Sequence, residues 1–478
     1  MEYMAQETKR KPNRGRLIGR ILLILAALFL LMCLATSLVA NAGLGGWAFW
    51  IQRQLTQEEE RTTALQEEIE RLIELLQEND IEIPVSPADT QLMDTVEGQV
   101  TALRGLSPLY SVDRTLISQS DLYDQTLDEF DTEFPPEEAH DYALTLAAFD
   151  MVETDVDMYD LLLRLYTEQI AGYYDPETEE VYIVADVGPM GQMERLTYAH
   201  EFTHVLQDQH FDLESLGFTD DDGDEFDSEY LGATRALVEG DASLLERQFL
   251  STYYTADELA RLMEESLAID QSILDEVPDI LRDSLFFPYE YGLTFVEDLY
   301  EAGGWAAVDA AYADPPLSTE QILHPERYRA GDAPQIVALP PLTDTLGTGW
   351  RQVDEDVLGE YFTRFYLTQQ ISTDEAMAAA EGWGGDRYTV FYSEATGALA
   401  MALHITWDTP GDAEEFVDAY VTYATRRFDG DGLTEGAQTC WTGEADALCL
   451  TWGSVDTIIA LGPDEPTVES LLNALATD

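Results

Sequence analysis

"YAHEFTHVLQDQH", Tyr198 to His210, holds three of the six histidines in a chain of 478 residues. His200 and His204 stand four apart, with Glu201 directly after the first. On a helix four residues make about one turn, so both imidazoles project from one face and can reach a single ion. Glu201 is then placed to reach a water on that ion. Leu196, Ala199, Phe202, Val205 and Leu206 wrap the segment in apolar side chains, which predicts a helix buried enough to exclude bulk water. A solvated acidic helix explains neither the wrapping nor the spacing.

The spacing is H-E-x-x-H, the pattern of zinc hydrolases. A catalytic zinc takes three protein ligands and leaves a fourth position to water. Two residues compete for the third place. His210 sits ten residues after His200, as in H-E-x-x-H-x-x-G-x-x-H. Gln207 stands where that pattern has Gly, and Gln is poorly suited to the left-handed turn that would bring the chain back. If the helix continues, His210 is turned about 240° away from the His204 face. No Met-turn follows, since Met263 in "ELARLMEES" reads as helix. Glu239 lies in "TRALVEGDASLLERQF", Thr234 to Phe249, a second helical pattern with apolar Leu237, Ala242, Leu244 and Leu245. Packed antiparallel, such a helix places a mid-helix carboxylate opposite the histidines. The preferred metal set is therefore His200, His204 and Glu239, with Zn2+ as the ion.

Taken together, "HEFTH" and "ALVEGDA" resemble the motifs of the gluzincin clan of metallopeptidases, over about residues 160–250. The resemblance implies a zincin-like domain that hydrolyses peptide bonds, with Glu201 taking the proton of the zinc-bound water and passing it to the leaving amine. "GYYDPETEEVYIV", Gly172 to Val184, reads as a hairpin and would supply the edge strand for substrate. One departure matters. The clan's Asp four positions after the ligand Glu is here Ser243, which leaves Asp241 or Asp208 to orient an imidazole. The donor facing the developing oxyanion is sought among Tyr289, Tyr291, His324 and Tyr328. His324 is carried as the second catalytic candidate, against its plainer reading as a helix-end histidine before Pro325.

The rest of the chain bounds where such an enzyme would act. The sequence has 94 Asp plus Glu against 24 Lys plus Arg, a net charge of −70. That surface repels phosphate and predicts no nucleic-acid partner. A basic flank (residues 1–20) precedes an apolar run over 21–42, long enough for a membrane helix, which needs about 20 residues. The reading is a single-pass cell-membrane anchor with a cytoplasmic N-terminus and the bulk of the chain outside. The rival is a cleaved signal peptide, for which "ANA" at Ala40–Ala42 has the right form. Residues 43–84 read as a stalk, with Leu65, Ile69, Leu72 and Leu76 as a short coiled-coil seam through which copies of the chain would pair, the rival reading being a single solvated helix.

The expected fold class is α+β: a mainly helical zincin-like domain with a short β-sheet (85–331), a linker rich in Pro, Gly and Thr (332–349), and a small α+β domain (350–478). In the last, a helix over Glu355–Gln370 precedes strands "RYTVFY" and "ALAMALHITW", a helix over Asp412–Arg427, further strands and a final helix. Cys440 and Cys449 flank "WTGEADAL", which fits a hairpin closed by a disulfide. "TDDDGDEFDSE", Thr219 to Glu229, has part of a calcium-loop pattern, but Phe218 at its first ligand position argues for a solvated loop. Two functions follow. The first is a membrane-anchored zinc metallopeptidase acting on a peptide or protein substrate outside the cytoplasm. The second is a non-enzymatic, surface-anchored binding module with a structural or degenerate zinc site. Glu201 favours the enzyme, because a structural site has no need of a carboxylate beside its first ligand.

Overall fold

A computed structural model describes residues 85–185, 189–217, 226–269 and 271–476. The basic tail, the expected membrane span and the coiled-coil stalk lie outside the described residues, as does most of the acidic loop after Phe218. Among the described residues no helix is long and apolar enough to cross a membrane. The expectations of a membrane-spanning fold and a single-pass localisation are corrected accordingly, since they rested on composition alone.

Two sheets organise the described residues. The first has three strands in the order β1 (Asp113–Ile117), β3 (Glu180–Val184), β2 (Gly172–Asp175). The expected hairpin is present, with Tyr174 opposite Val181 across an antiparallel pair, while β1 joins β3 in parallel. β2 is left at the edge and lies against the histidine-bearing helix, Gln192–Phe211. The approach is close: a Cβ on Gly172 would stand 2.8 Å from Thr197 Cγ2.

That helix is buried from Arg195 through Gln207, on every face rather than along one stripe, which marks a central helix rather than a surface one. It starts at Gly191, whose N–H donates to the Glu194 carboxylate, and ends at Asp212 in the left-handed region at φ 58°. The helix carrying Glu239, Ser228–Tyr253, is capped by the Asp227 side chain accepting from Tyr230 N–H. A third long helix, Asp279–Gly303, crosses it where Gly240 and Gly292 face each other. A Cβ on Gly292 would lie 2.1 Å from the Ala236 carbonyl oxygen, and one on Gly240 2.1 Å from that of Gly292. Backbone thus meets backbone, an approach only glycine permits.

The second sheet has seven antiparallel strands in the order β4 (Arg351–Asp356), β5 (Trp383–Ser393), β6 (Ala398–Trp407), β10 (Asp456–Gly462), β9 (Ala447–Trp452), β8 (Gln438–Thr442), β7 (Leu433–Thr434). Its expected first helix is in part a strand. Arg351–Asp356 forms β4 and pairs with β5 (Trp383–Ser393), and helix begins only at Gly359. The break has a local cause: Gly359 sits at φ 77°, and its N–H and that of Leu358 are both taken by Asp386. The segment read as a linker is pinned to this sheet, with Gln335 N–H donating to Gly384 O at 2.6 Å and Leu342 buried. Cys440 and Cys449, directly opposite on β8 (Gln438–Thr442) and β9 (Ala447–Trp452), are joined in a disulfide.

The hydrophobic core does not divide at that segment. One cluster runs from Leu122, Phe149 and Tyr166 to Val353, Trp383, Leu403 and Tyr420, so the helices between residues 119 and 169 pack on the seven-stranded sheet. Arg351 pairs with Asp141 and Arg427 with Asp150 across this contact. A second cluster surrounds the histidine helix and β3.

Candidate metal centre

Antiparallel packing of two buried helices builds the centre. The Gln192–Phe211 helix presents His200 and His204, their rings 4.8 Å apart, and the Ser228–Tyr253 helix presents Glu239 between them. Glu239 Oε2 lies 3.2 Å from His200 Nε2 and 3.7 Å from His204 Nε2. One atom from each residue falls within 4.8 Å of the others, and this is the group among the described residues that could hold a metal ion.

Two atoms bound at about 2.1 Å to one tetrahedral ion lie roughly 3.4 Å apart, and the two observed separations bracket that value. The bonding state of the side chains agrees. His204 Nε2, Glu239 Oε1 and Glu201 Oε2 are all buried with no hydrogen-bond partner. Each such orphan costs about 1–3 kcal/mol, and the two on His204 and Glu239, both members of the three-residue group, fit a positive ion placed there.

Electrostatics follows from burial. His200, His204 and Glu239 are 0 % exposed and Glu201 1 %. Burial pushes Glu201 up to about 8; His200 and a hydrogen bond from the Tyr174 backbone oppose the rise, and Glu239 adds to it. Burial likewise raises Glu239 to about 7 against the pull of His200. Burial alone would lower His200, but its bonds to Glu239 and Glu246 outweigh that and hold it well above the usual range. His204, desolvated and beside His200, is held well below it.

The other sequence candidates separate cleanly. The helix runs straight through Gln207, and His210 turns outward to the Ser107 carbonyl at 2.8 Å, so it is not in the group. His324 is not brought to the centre either. Its helix ends there, and its Nε2 lies 3.1 Å from Glu360 Oε1 and from Arg364 Nη2. Tyr328 donates to the Asp314 carbonyl, and Tyr291 packs against Phe287. Tyr289 alone of the four donor candidates stands at the site. Its ring is 6.5 Å from that of His200, and its buried hydroxyl faces the Glu239 carboxylate. The Gly240–Gly292 crossing brings it there.

Neither residue expected to orient an imidazole does so. Asp208 accepts from the Tyr174 hydroxyl, and Asp241 is engaged by Arg104 and Tyr312. The orienting partners are Glu246 and Gln207, which sequence reasoning missed. The signal was present, since seven residues bring Glu246 back to the Glu239 face. Buried Arg235, one turn before Glu239 on the same helix, was also missed; burial lowers it to about 10, with Tyr166, Tyr289 and Glu239 opposing. Of the calcium-loop residues, Glu229 is described: it accepts from the Thr319 N–H and hydroxyl.

A family described as "Domain of unknown function (DUF8575)" matches residues 345–472, the seven-stranded sheet with its helices and not the metal centre. No curated protein and no solved structure matches the chain.

Proposed function

We propose that the chain is a zinc-dependent peptide hydrolase of the gluzincin type, with the ion held by His200, His204 and Glu239. The observation that carries this reading is the buried three-residue group, with unpaired polar atoms on His204 and Glu239 and on the adjoining Glu201. Three ligands rather than four leave a position for water, which separates a catalytic set from a closed structural one.

A bound zinc supplies Lewis-acid polarisation of a carbonyl and a water that ionises near neutral pH. The chain's own residues do the rest. Glu201, buried directly beside the first ligand, takes the attacking water's proton and delivers it to the leaving amine. The buried Tyr289 hydroxyl donates to the oxyanion that develops on the scissile carbonyl. β2, at the edge of its sheet beside the histidine helix, offers backbone groups for an extended peptide.

The complete burial of the group favours one rival, a structural site in a binding module. Glu201→Gln separates the two. In the hydrolase it retains zinc and loses cleavage of a peptide library by orders of magnitude, while elemental analysis of the wild-type chain finds about one zinc. A wild-type chain that binds zinc but cleaves no peptide in that library, with or without added metal, supports the rival.

A further inference from the structure

Each imidazole of the centre is also held at its other nitrogen, and both tethers lead to the same helix. His200 Nδ1 lies 3.2 Å from Glu246 Oε2. His204 Nδ1 lies 2.7 Å from Gln207 Oε1, and Gln207 Nε2 donates to the Val238 carbonyl at 3.0 Å. All of these side chains are buried, Gln207 fully and Glu246 to within 1 %.

Glu239 and Glu246 are seven residues apart, about 20° short of two full turns, so one face of one helix reaches both nitrogens of His200. A ring held at Nδ1 by an acceptor carries its proton there and turns a lone pair on Nε2 toward the metal position. Ser243, one turn after Glu239, does not do this, because its hydroxyl has no hydrogen-bond partner. Gln207 cannot flip without loss: its amide nitrogen is committed to Val238, which leaves the amide oxygen for His204.

We propose that Glu246 and Gln207 are positioning residues for the metal ligands, fixing the Nδ1–H tautomer of His200 and His204 and aiming both Nε2 atoms at Glu239. The proposal rests on the metal-centre reading above. It also assigns unequal roles. Glu246 gives His200 a charged partner and makes it the more electron-rich ligand, whereas Gln207 gives His204 a neutral one.

The test uses the full chain, stripped with a chelator and titrated with zinc and, separately, with cobalt(II). Outer partners of this kind are worth ten- to hundredfold in metal affinity. Glu246→Gln should therefore bind zinc about ten- to hundredfold more weakly, Gln207→Leu less so, and Ser243→Ala as tightly as wild type. The visible bands of bound cobalt(II) should shift in Glu246→Gln and stay in place in Ser243→Ala, a change that mere loss of packing does not produce. Wild-type zinc affinity and an unshifted cobalt spectrum in Glu246→Gln overturn the proposal while leaving the metal centre standing. A Glu246→Gln chain that loses its helical circular dichroism overturns it too, since Glu246 would then serve the fold. A wild-type chain that binds neither metal overturns the metal centre itself.

Discussion

Replacing Gly292 by alanine tests the geometry on which the centre depends. The new Cβ would lie 2.1 Å from the Ala236 carbonyl oxygen, where ordinary contact begins near 3.4 Å. The shortfall of about 1.3 Å must be met by the helices moving apart, because the obstacle is backbone and no side-chain rotation relieves it. Alanine itself favours helix over glycine by about 1 kcal/mol. Overpacking of a tight core costs about 1–3 kcal/mol, and rigid backbone on both sides puts this case at the upper end. The expected net loss is about 1–2 kcal/mol, read as a lower urea midpoint with an unchanged slope. The effect on function should be larger. Tyr289 lies three residues earlier on the same helix face, so separation of the helices draws its hydroxyl away from Glu239. A 1 Å misplacement can cost on the order of a hundredfold in rate, so kcat should fall by about that factor while zinc content is retained. A Gly292→Ala chain that gains about 1 kcal/mol would show that propensity alone acts there and that the helices do not touch as described.

Three further outcomes follow from particular residues. Glu239→Ala should lose most of its zinc on dialysis and His210→Ala should keep it, measured by elemental analysis; the reverse would return His210 to the ligand set. Metal-free protein should become more stable as pH falls from 8 to 6. Burial raises Glu320 to about 8, Asp356 to about 7 and Asp386 to about 6, so the folded state holds protons there that the unfolded chain has released, and stability is lost as pH rises through these values. Melting temperatures that fall from pH 8 to 6, or a Glu320→Gln chain with an undiminished slope, would contradict this. Reduction of the Cys440–Cys449 bond, which spans nine positions, should cost about 2–3 kcal/mol by loop-closure entropy, seen as a lower urea midpoint; no change on reduction would mean the antiparallel pair alone holds that hairpin.

The two histidines, Glu201 and the preference for Glu239 over His210 were legible because helical period is local. Four residues make a turn, and six past His204 point elsewhere, whatever the helix packs against. The β2–β3 hairpin was legible for the same reason, its turn residues lying between two β-branched or aromatic arms. The start of the second sheet was not. "VDEDV" reads as helix or strand with equal ease, and pairing with β5 together with Asp386, some thirty residues away in sequence, decided for strand.

Other features depended wholly on tertiary structure. His324 carries no local mark that its ring will be taken by Glu360 and Arg364. Tyr289 and Tyr291 are two residues apart in one motif, yet the first is buried at the centre and the second is 37 % exposed. The difference is the rotation of their helix about the Gly240–Gly292 contact. The same holds for Glu246, Gln207 and the shared core under the seven-stranded sheet. Local sequence determines which way a side chain points from its own helix axis, because that follows from backbone geometry within a turn. Which group it meets depends on how two axes cross, and that is set by the fit of whole surfaces, to which every residue along both helices contributes.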